Sequence, residues 1–110
     1  METAIPYRLV FTTCPDAQLS ERIARALVTE GLAACVNVLP TVQSVYRWRG
    51  NIESATEQLL IIKIRAADYD AVEQRIRALH SYELPEVIAV PLVGGYSRYL
   101  AWLDNPDSTT

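Results

Sequence analysis

The segment from Leu32 to Arg65 constrains the fold more than any other part of this 110-residue chain, because it has the pattern of one long β-hairpin. Alternation with period two is typical of a strand. In both halves of the segment one parity is mainly apolar, through Ala34, Val36, Val38, Val42, Tyr46, Trp48, Ile52, Leu60, Ile62 and Ile64. Gly50 and Asn51, between the halves, accept the positive φ of a tight turn. The sequence therefore predicts two long antiparallel strands.

The register of this hairpin is predicted from its cross-strand pairs. A three-residue turn after Trp48 places Trp48 opposite Ile52 and Arg47 opposite Glu53. This register pairs apolar with apolar and cation with anion, so we expect it. Pro40 cannot donate a ladder hydrogen bond and predicts a β-bulge partway along the first strand.

The length of the hairpin points to a partner chain. At about 3.3 Å per residue, the arm from Ala33 to Arg49 would extend about 50 Å, whereas a compact chain of this size is about 35 Å across. Tyr46 and Trp48 lie on the part that overhangs, with apolar area that one subunit does not easily cover. A hairpin that bends back on itself would also explain this overhang.

Leu59 and Ile61 give a second reason to expect an oligomer. They lie on the opposite parity from the neighbouring apolar residues of their strand, so both faces of that strand are apolar. An apolar second face needs a cover. An obligate oligomer explains both the overhang and this second face.

Composition fits one cytoplasmic domain spanning residues 1–110, with a disordered tail at 105–110. Half of the residues are hydrophobic, at 50%, and 21% are charged, which allows a proper core. A net charge of -3 and the absence of Lys or Arg runs argue against nucleic acid. No segment approaches the roughly 20 apolar residues of a membrane span, and we expect no signal peptide. The two cysteines should stay reduced in the cytoplasm.

Outside the hairpin, the sequence predicts two further strands and three helices. A strand over Tyr7–Thr13 precedes a helix that Asp16 can cap and Gly31 can end. After the hairpin, Asp68 begins a second helix, Glu86–Val93 forms a last strand, and a short amphipathic helix follows.

The order β α β β α β plus a terminal helix predicts an α+β, ferredoxin-like split βαβ sandwich with an extended hairpin between its second and third strands. Right-handed crossovers give strand order 4-1-3-2, with both main helices on one face. We expect the other face to be bare, and Leu59 and Ile61 to point to it.

This topology also predicts which polar residues meet. Cys14, at the end of the first strand, and Cys35, at the start of the second, lie on opposite rims, so they cannot bond within one chain. The second helix ends on the rim of Cys14. His80, Tyr82 and Glu83 should therefore lie near Cys14.

Several segments closely resemble the CutA divalent-cation tolerance proteins, namely VFTTCPD, LVTEGLAACVNVLP, SVYRWRGNIE, LLIIKIR, SYELPEVIAVPL and YLAWL. The resemblance covers nearly the whole chain, and the combination of LAACVN, VYRWRG and His80–Glu86 is specific. It implies a tight trimer like that of the PII signalling proteins, a link to copper or other divalent cations, and protein anchoring in animal members. Ser81 replaces the usual proline of the family, and Leu79 replaces a second histidine found in some relatives.

Cys14 and His80 are the candidate metal ligands, because a thiolate with an imidazole suits copper or zinc. Two ligands do not make a closed structural site. The alternative for His80 is a helix C-cap, and for Cys14 a small residue near a strand end. Cys35 is expected to be a buried strand thiol.

The hairpin and the segment after His80 could also form an intersubunit cleft or interface. Its candidate residues are Tyr46, Arg47, Trp48, Glu53, Leu59, Ile61, Tyr82 and Glu83. Trp48 and Tyr82 would line a small-molecule pocket with Arg47 as an anion contact, by analogy with PII proteins. The alternative is that Arg47, Arg49 and Glu53 form surface or intersubunit ion pairs.

We therefore expect a non-enzymatic cytoplasmic oligomer with no obligatory cofactor, and the resemblance implies that it is a homotrimer linked to divalent cation tolerance, which binds copper or another divalent cation weakly. No nucleophile motif or oxyanion hole accompanies Cys14 and His80. The alternative is a PII-like small-molecule sensor or a protein-anchoring scaffold that uses the intersubunit cleft.

Overall fold

The structure, a computed structural model, describes residues 3–107. Its elements are β1 (Tyr7–Cys14), α1 (Ala17–Thr29), β2 (Cys35–Trp48), β3 (Asn51–Arg65), a 3-10 turn (Ala66–Asp68), α2 (Tyr69–Leu79), β4 (Ile88–Pro91) and α3 (Ser97–Asp104). This is the predicted order. Residues 105–107 follow α3 without regular structure, and the rest of the tail predicted to be disordered lies outside the described residues. None of the helices in residues 3–107 has the length and apolar character needed to cross a membrane.

The four strands form one antiparallel sheet in the order β2-β3-β1-β4, which confirms the predicted ferredoxin-like topology. β1 pairs with β3 along its whole length, from Tyr7 opposite Arg65 to Cys14 opposite Gln58. β4 is shorter than the predicted strand at both ends, although the Leu92 N–H still donates to the Tyr7 carbonyl at 3.0 Å beyond it.

The core lies between the sheet and the two main helices. Even-numbered residues of β1 and β3 point to it, and α1 and α2 bury one stripe each against them. Its fully buried side chains include Val10, Leu60, Ile62, Ile23, Leu27, Val72 and Ile76. The Asp16 carboxylate caps α1 by accepting from the Leu19 N–H at 2.8 Å. Asp68 begins α2 without a side-chain cap, because its carboxylate accepts from Arg65 instead.

The hairpin turn differs from the predicted one. Arg49 and Gly50 both have positive φ, 49° and 83°, and they form a two-residue turn. Trp48 therefore lies opposite Asn51, and the predicted pairing with Ile52 is wrong. Turns with two positive φ angles match the right-handed twist of a hairpin, and this geometry outweighs the small pairing energies on which the prediction relied.

The predicted ion pair across the hairpin is wrong for the same reason. Arg47 lies opposite Ile52, and Glu53 lies opposite Tyr46. The cation and the anion are thus out of register by one residue.

The predicted bulge is confirmed. Leu39 lies opposite Leu59, whereas Val42 lies opposite Glu57, so β2 holds one more residue than β3 at Pro40. The bulge divides the hairpin into an inner ladder, next to the rest of the sheet, and an outer ladder that ends at the turn.

The sheet face opposite the main helices, which we call the second face, is not bare as predicted. Lys63 shares this face with Ile61, and its ammonium lies 5.7 Å from the centre of the Tyr99 ring in α3. The C-terminal helix therefore covers one end of the second face. By register, Thr13 and Asn37 also lie on this face, and its apolar residues are Leu9, Phe11, Leu39, Leu59, Ile61, Ile88 and Val90.

Candidate functional site

An open cleft of about 880 Å³ lies between the outer half of β2 and the segment 82–88 that connects α2 to β4. The hairpin extends beyond β1, which ends at Cys14 opposite Gln58, so the outer part of β3 pairs with β2 on one side and has no strand on the other. Segment 82–88 occupies that space, and Thr13 and Glu57 line the cleft between the two walls.

The tip of the hairpin is tied to the same segment. Nη2 of Arg49 donates to the two carboxylate oxygens of Glu83, at 3.2 and 2.9 Å, and the guanidinium carbon lies 5.1 Å from the centre of the Trp48 ring. An exposed pair of this kind stabilises by only about 0–1 kcal/mol. Its importance is positional, because it holds the tip beside segment 82–88.

His80 is fixed at the end of α2 by three hydrogen bonds. Its backbone N–H donates to the Ile76 carbonyl at 2.9 Å, which makes it the helix C-cap. Its Nε2 lies 2.7 Å from the Thr13 carbonyl oxygen, and its Nδ1 accepts from the Tyr82 N–H at 3.1 Å. A carbonyl only accepts and an amide N–H only donates, so these partners assign the neutral tautomer with the proton on Nε2.

Glu57 is a buried carboxylate that sequence reasoning missed. It is 7% exposed, and its Oε2 accepts from the Tyr82 hydroxyl at 2.6 Å. Burial raises the pKa of Tyr82, and the hydrogen bond to Glu57 and the charge of that carboxylate raise it further. The Tyr82 ring in turn packs on His80, with 4.7 Å between ring centres.

Cys14 lies beside this network as a buried thiol. Its Sγ is 3.9 Å from His80 Nε2. Burial is the main cause that raises the Cys14 pKa, the charges of Asp16 and Glu57 add to it, and a hydrogen bond with Ser20 opposes it. The protonated thiol is therefore favoured, which is the less reactive form toward metals and electrophiles.

The structure brings together most of the residues predicted for a site. The predicted ligands Cys14 and His80 are neighbours, but residues 3–107 contain no group of three or more His, Cys, Asp or Glu able to hold a metal ion. Cys35 is half-buried and unpaired at the start of β2. Of the predicted cleft residues, Tyr46, Arg47, Trp48, Tyr82 and Glu83 line the cleft.

Three predicted residues lie elsewhere. Glu53 is exposed on the outer ladder, and Leu59 and Ile61 lie half-buried on the second face. One indirect signal for Glu57 was present in the sequence. Glu57 pairs beside the bulge that Pro40 predicts, and the alternation of apolar and polar residues does not indicate burial reliably next to a bulge.

Comparison with known proteins places this geometry in a family. The sequence model described as CutA1 divalent ion tolerance protein matches residues 8–106. The rice protein named "Protein CutA 1, chloroplastic" is 44% identical over 103 residues, which are 94% of this chain and 58% of that protein. The Thermus thermophilus protein named "Divalent-cation tolerance protein CutA" is 41% identical over 95 residues, covering 86% of this chain and 92% of that one.

Solved structures agree. The crystal structure of CutA from Xylella fastidiosa superposes with a TM-score of 0.89 at 47% identity, covering 91% of this chain and 96% of that one. The chain spans less than two thirds of the length of the plant relatives, at 58% and 56%, but 92% of the Thermus thermophilus protein. On the family match, the sequence identities and the shared fold, this chain belongs to the CutA1 divalent ion tolerance protein family.

Proposed function

We propose that this chain acts in divalent cation tolerance as a non-enzymatic, cytoplasmic homotrimer whose subunits join through the second face and the hairpin. The second face carries this proposal. On it Ile88 is 54% exposed and Val90 41% exposed, beside the half-buried Leu59 and Ile61. Soluble monomers rarely expose a contiguous apolar patch of this kind, and α3 covers only one end of it.

A cytoplasmic location and the trimeric state have separate support. The two unpaired cysteines suit a reducing compartment. The number of subunits follows from the family resemblance, and the exposed outer ladder offers each neighbour a long strand edge.

Size-exclusion chromatography with light scattering at micromolar concentration tests the assembly. We expect a trimer for the wild type and a smaller species for Ile61→Glu and Trp48→Arg. Val28→Glu is the control, because Val28 is an apolar residue that lies exposed on α1, away from the second face. A well-folded wild-type monomer would contradict the proposal.

Weak binding of copper or another divalent cation at Cys14 and His80 is the finer part of the proposal. The 3.9 Å separation of their side chains supports it. The affinity should be low, because a metal must replace the bond between Nε2 and the Thr13 carbonyl and must deprotonate a buried thiol. The site would supply a soft ligand pair for uptake of the ion, with no obligatory cofactor.

Copper titration tests this site. We expect the Cys14→Ser, His80→Ala double variant to bind copper more weakly than the wild type, and Cys35→Ser, which removes the other thiol, to bind like the wild type. Unchanged affinity in the double variant would remove Cys14 and His80 as ligands.

The cleft supports a second candidate function, a PII-like small-molecule sensor or an anchoring scaffold for a partner protein. Its volume, about 880 Å³, is within the range of small-molecule sites. Thermal shift against a metabolite panel tests it, since a ligand that binds only the folded state raises the melting temperature. A response to metal with no response to any metabolite would favour the first function.

A further inference from the structure

We infer that the cleft between β2 and segment 82–88 binds a small organic cation with a protonated amine, held by Glu57 and the aromatic side chains around it. This inference deepens the second candidate function and rests on it.

Glu57 is the residue on which the inference depends. It is 7% exposed, and no ion pair within residues 3–107 includes it. The Tyr82 hydroxyl binds Oε2, whereas Oε1 has no hydrogen bond in the described part of the chain. Glu57 is largely withdrawn from water but lines the open cleft, so an ammonium group that enters the cleft could pair with its carboxylate and offset the cost of burying that charge.

The other charges around the cleft do not supply that cation. Glu83 is held by Arg49 at the hairpin tip. Arg47 and Glu86 both line the cleft and carry opposite charges. No ion pair within residues 3–107 joins Arg47 to Glu57, so Glu57 has no cation within ion-pair distance.

The walls suit an organic cation. Tyr46, Trp48 and Tyr82 all line the cleft. Aromatic faces attract ammonium groups, and the attraction grows when water is excluded. One carboxylate oxygen can accept the N–H of an amine, while the rings contact its carbon chain.

The size and the donor set argue against a bare metal ion as the occupant. A volume of about 880 Å³ is far larger than one ion. Hard divalent cations take about six or more oxygen ligands, and the described residues hold no cluster of that kind.

Three probes of matched shape test the inference on the full-length protein. They are benzylamine, benzyl alcohol and benzoate, which share one ring and differ in charge. Isothermal titration and Trp fluorescence should show binding of benzylamine, about ten-fold weaker binding of benzyl alcohol, and no binding of benzoate, since a hydrogen bond to a charged group is worth about this factor or more. Equal binding of benzylamine and benzyl alcohol, or stronger binding of benzoate, would overturn the inference.

Two variants locate the site. Glu57→Gln keeps the shape and removes the charge, and should weaken benzylamine binding by about ten-fold or more. Glu53→Gln is the control, because Glu53 is an exposed carboxylate of the same strand outside the cleft lining. If Glu57→Gln fails to fold, the comparison of the three probes on the wild type still decides.

The outcomes distinguish a failure of this inference from a failure of the small-molecule function on which it rests. Binding of anionic metabolites from the thermal-shift panel, with no binding of benzylamine, would keep the small-molecule function and refute the cation. Absence of binding by all three probes and by the panel would refute both, and would fit a cleft filled by a neighbouring copy.

Discussion

Replacing Tyr82 by phenylalanine removes one oxygen atom and tests whether the Tyr82 hydroxyl stabilises the buried Glu57 carboxylate. The bond between them, 2.6 Å long, is the one hydrogen bond to that carboxylate in residues 3–107. The ring of the variant keeps its contact with His80, so packing changes little. The measured loss therefore reports on the hydroxyl.

The expected loss follows from the type of bond. A hydrogen bond to a charged group contributes about 1.5–3 kcal/mol, and an acceptor left buried without its partner keeps its desolvation cost. Because Glu57 is 7% exposed, water replaces the hydroxyl poorly. We expect Tyr82→Phe to lower the free energy of unfolding by about 2 kcal/mol and the melting temperature by about 8 °C or more.

Urea unfolding at fixed protein concentration measures this loss, because assembly would make stability depend on concentration. Tyr46→Phe is the control: Tyr46 lines the same cleft, is half exposed, and its hydroxyl has no hydrogen bond in the described part of the chain. It should change stability by less than about 0.5 kcal/mol. Equal effects of the two variants, or a loss below about 0.5 kcal/mol for Tyr82→Phe, would refute the reasoning.

Because the pKa of Tyr82 is raised, the folded state keeps a proton that the unfolded state loses near the ordinary value of 10.0. The free energy of unfolding should therefore fall above that pH, and more steeply in the wild type than in the Tyr82→Phe variant. Urea unfolding at a series of pH values measures this difference. Asp16→Ala should cost about 1 kcal/mol of unfolding free energy through loss of a helix cap, whereas Asp68→Ala should cost less, because its side chain makes no cap bond; equal losses would contradict this. Gly50→Ala should cost about 1 kcal/mol because of its positive φ, whereas Gly94→Ala, with open space around it and no positive φ, should be neutral in thermal melts.

The fold was largely predictable because its main signals are local. Alternation gave the hairpin, Asp16 and Gly31 gave the bounds of α1, and Pro40 gave the bulge. The register at the hairpin tip was not predictable from cross-strand pairs. Arg49 is not a residue that usually takes positive φ, so its place in a two-residue turn leaves little trace in the sequence.

The second face shows a limit of a different kind. The pattern of Leu59 and Ile61 revealed that the face is apolar, but a short helix such as α3 can lie on either side of a sheet. Its position on that face follows from tertiary contacts such as Lys63 with Tyr99, which no local signal encodes.

The sequence predicted most of the residues of the candidate site, but it did not predict the buried carboxylate of Glu57. Topology brought His80 to Cys14, and resemblance pointed to the cleft residues. Glu57 escaped notice because a glutamate in a strand is usually solvated, and its burial depends on Tyr82, which is 25 residues away in sequence. Whether Cys14 and His80 bind a metal stays a prediction.

The extra residue of β2 at Pro40 limits how the two arms of the hairpin can change in length. Because the outer ladder begins afresh beyond it, residues added in matched pairs to both arms would lengthen the ribbon and leave every side chain of the inner ladder on its present side. A single residue added to one arm would instead move the side chains of that arm's outer part to the opposite face of the ladder, and Tyr46 would no longer line the cleft. Natural lengthening of the arms should therefore occur in even steps.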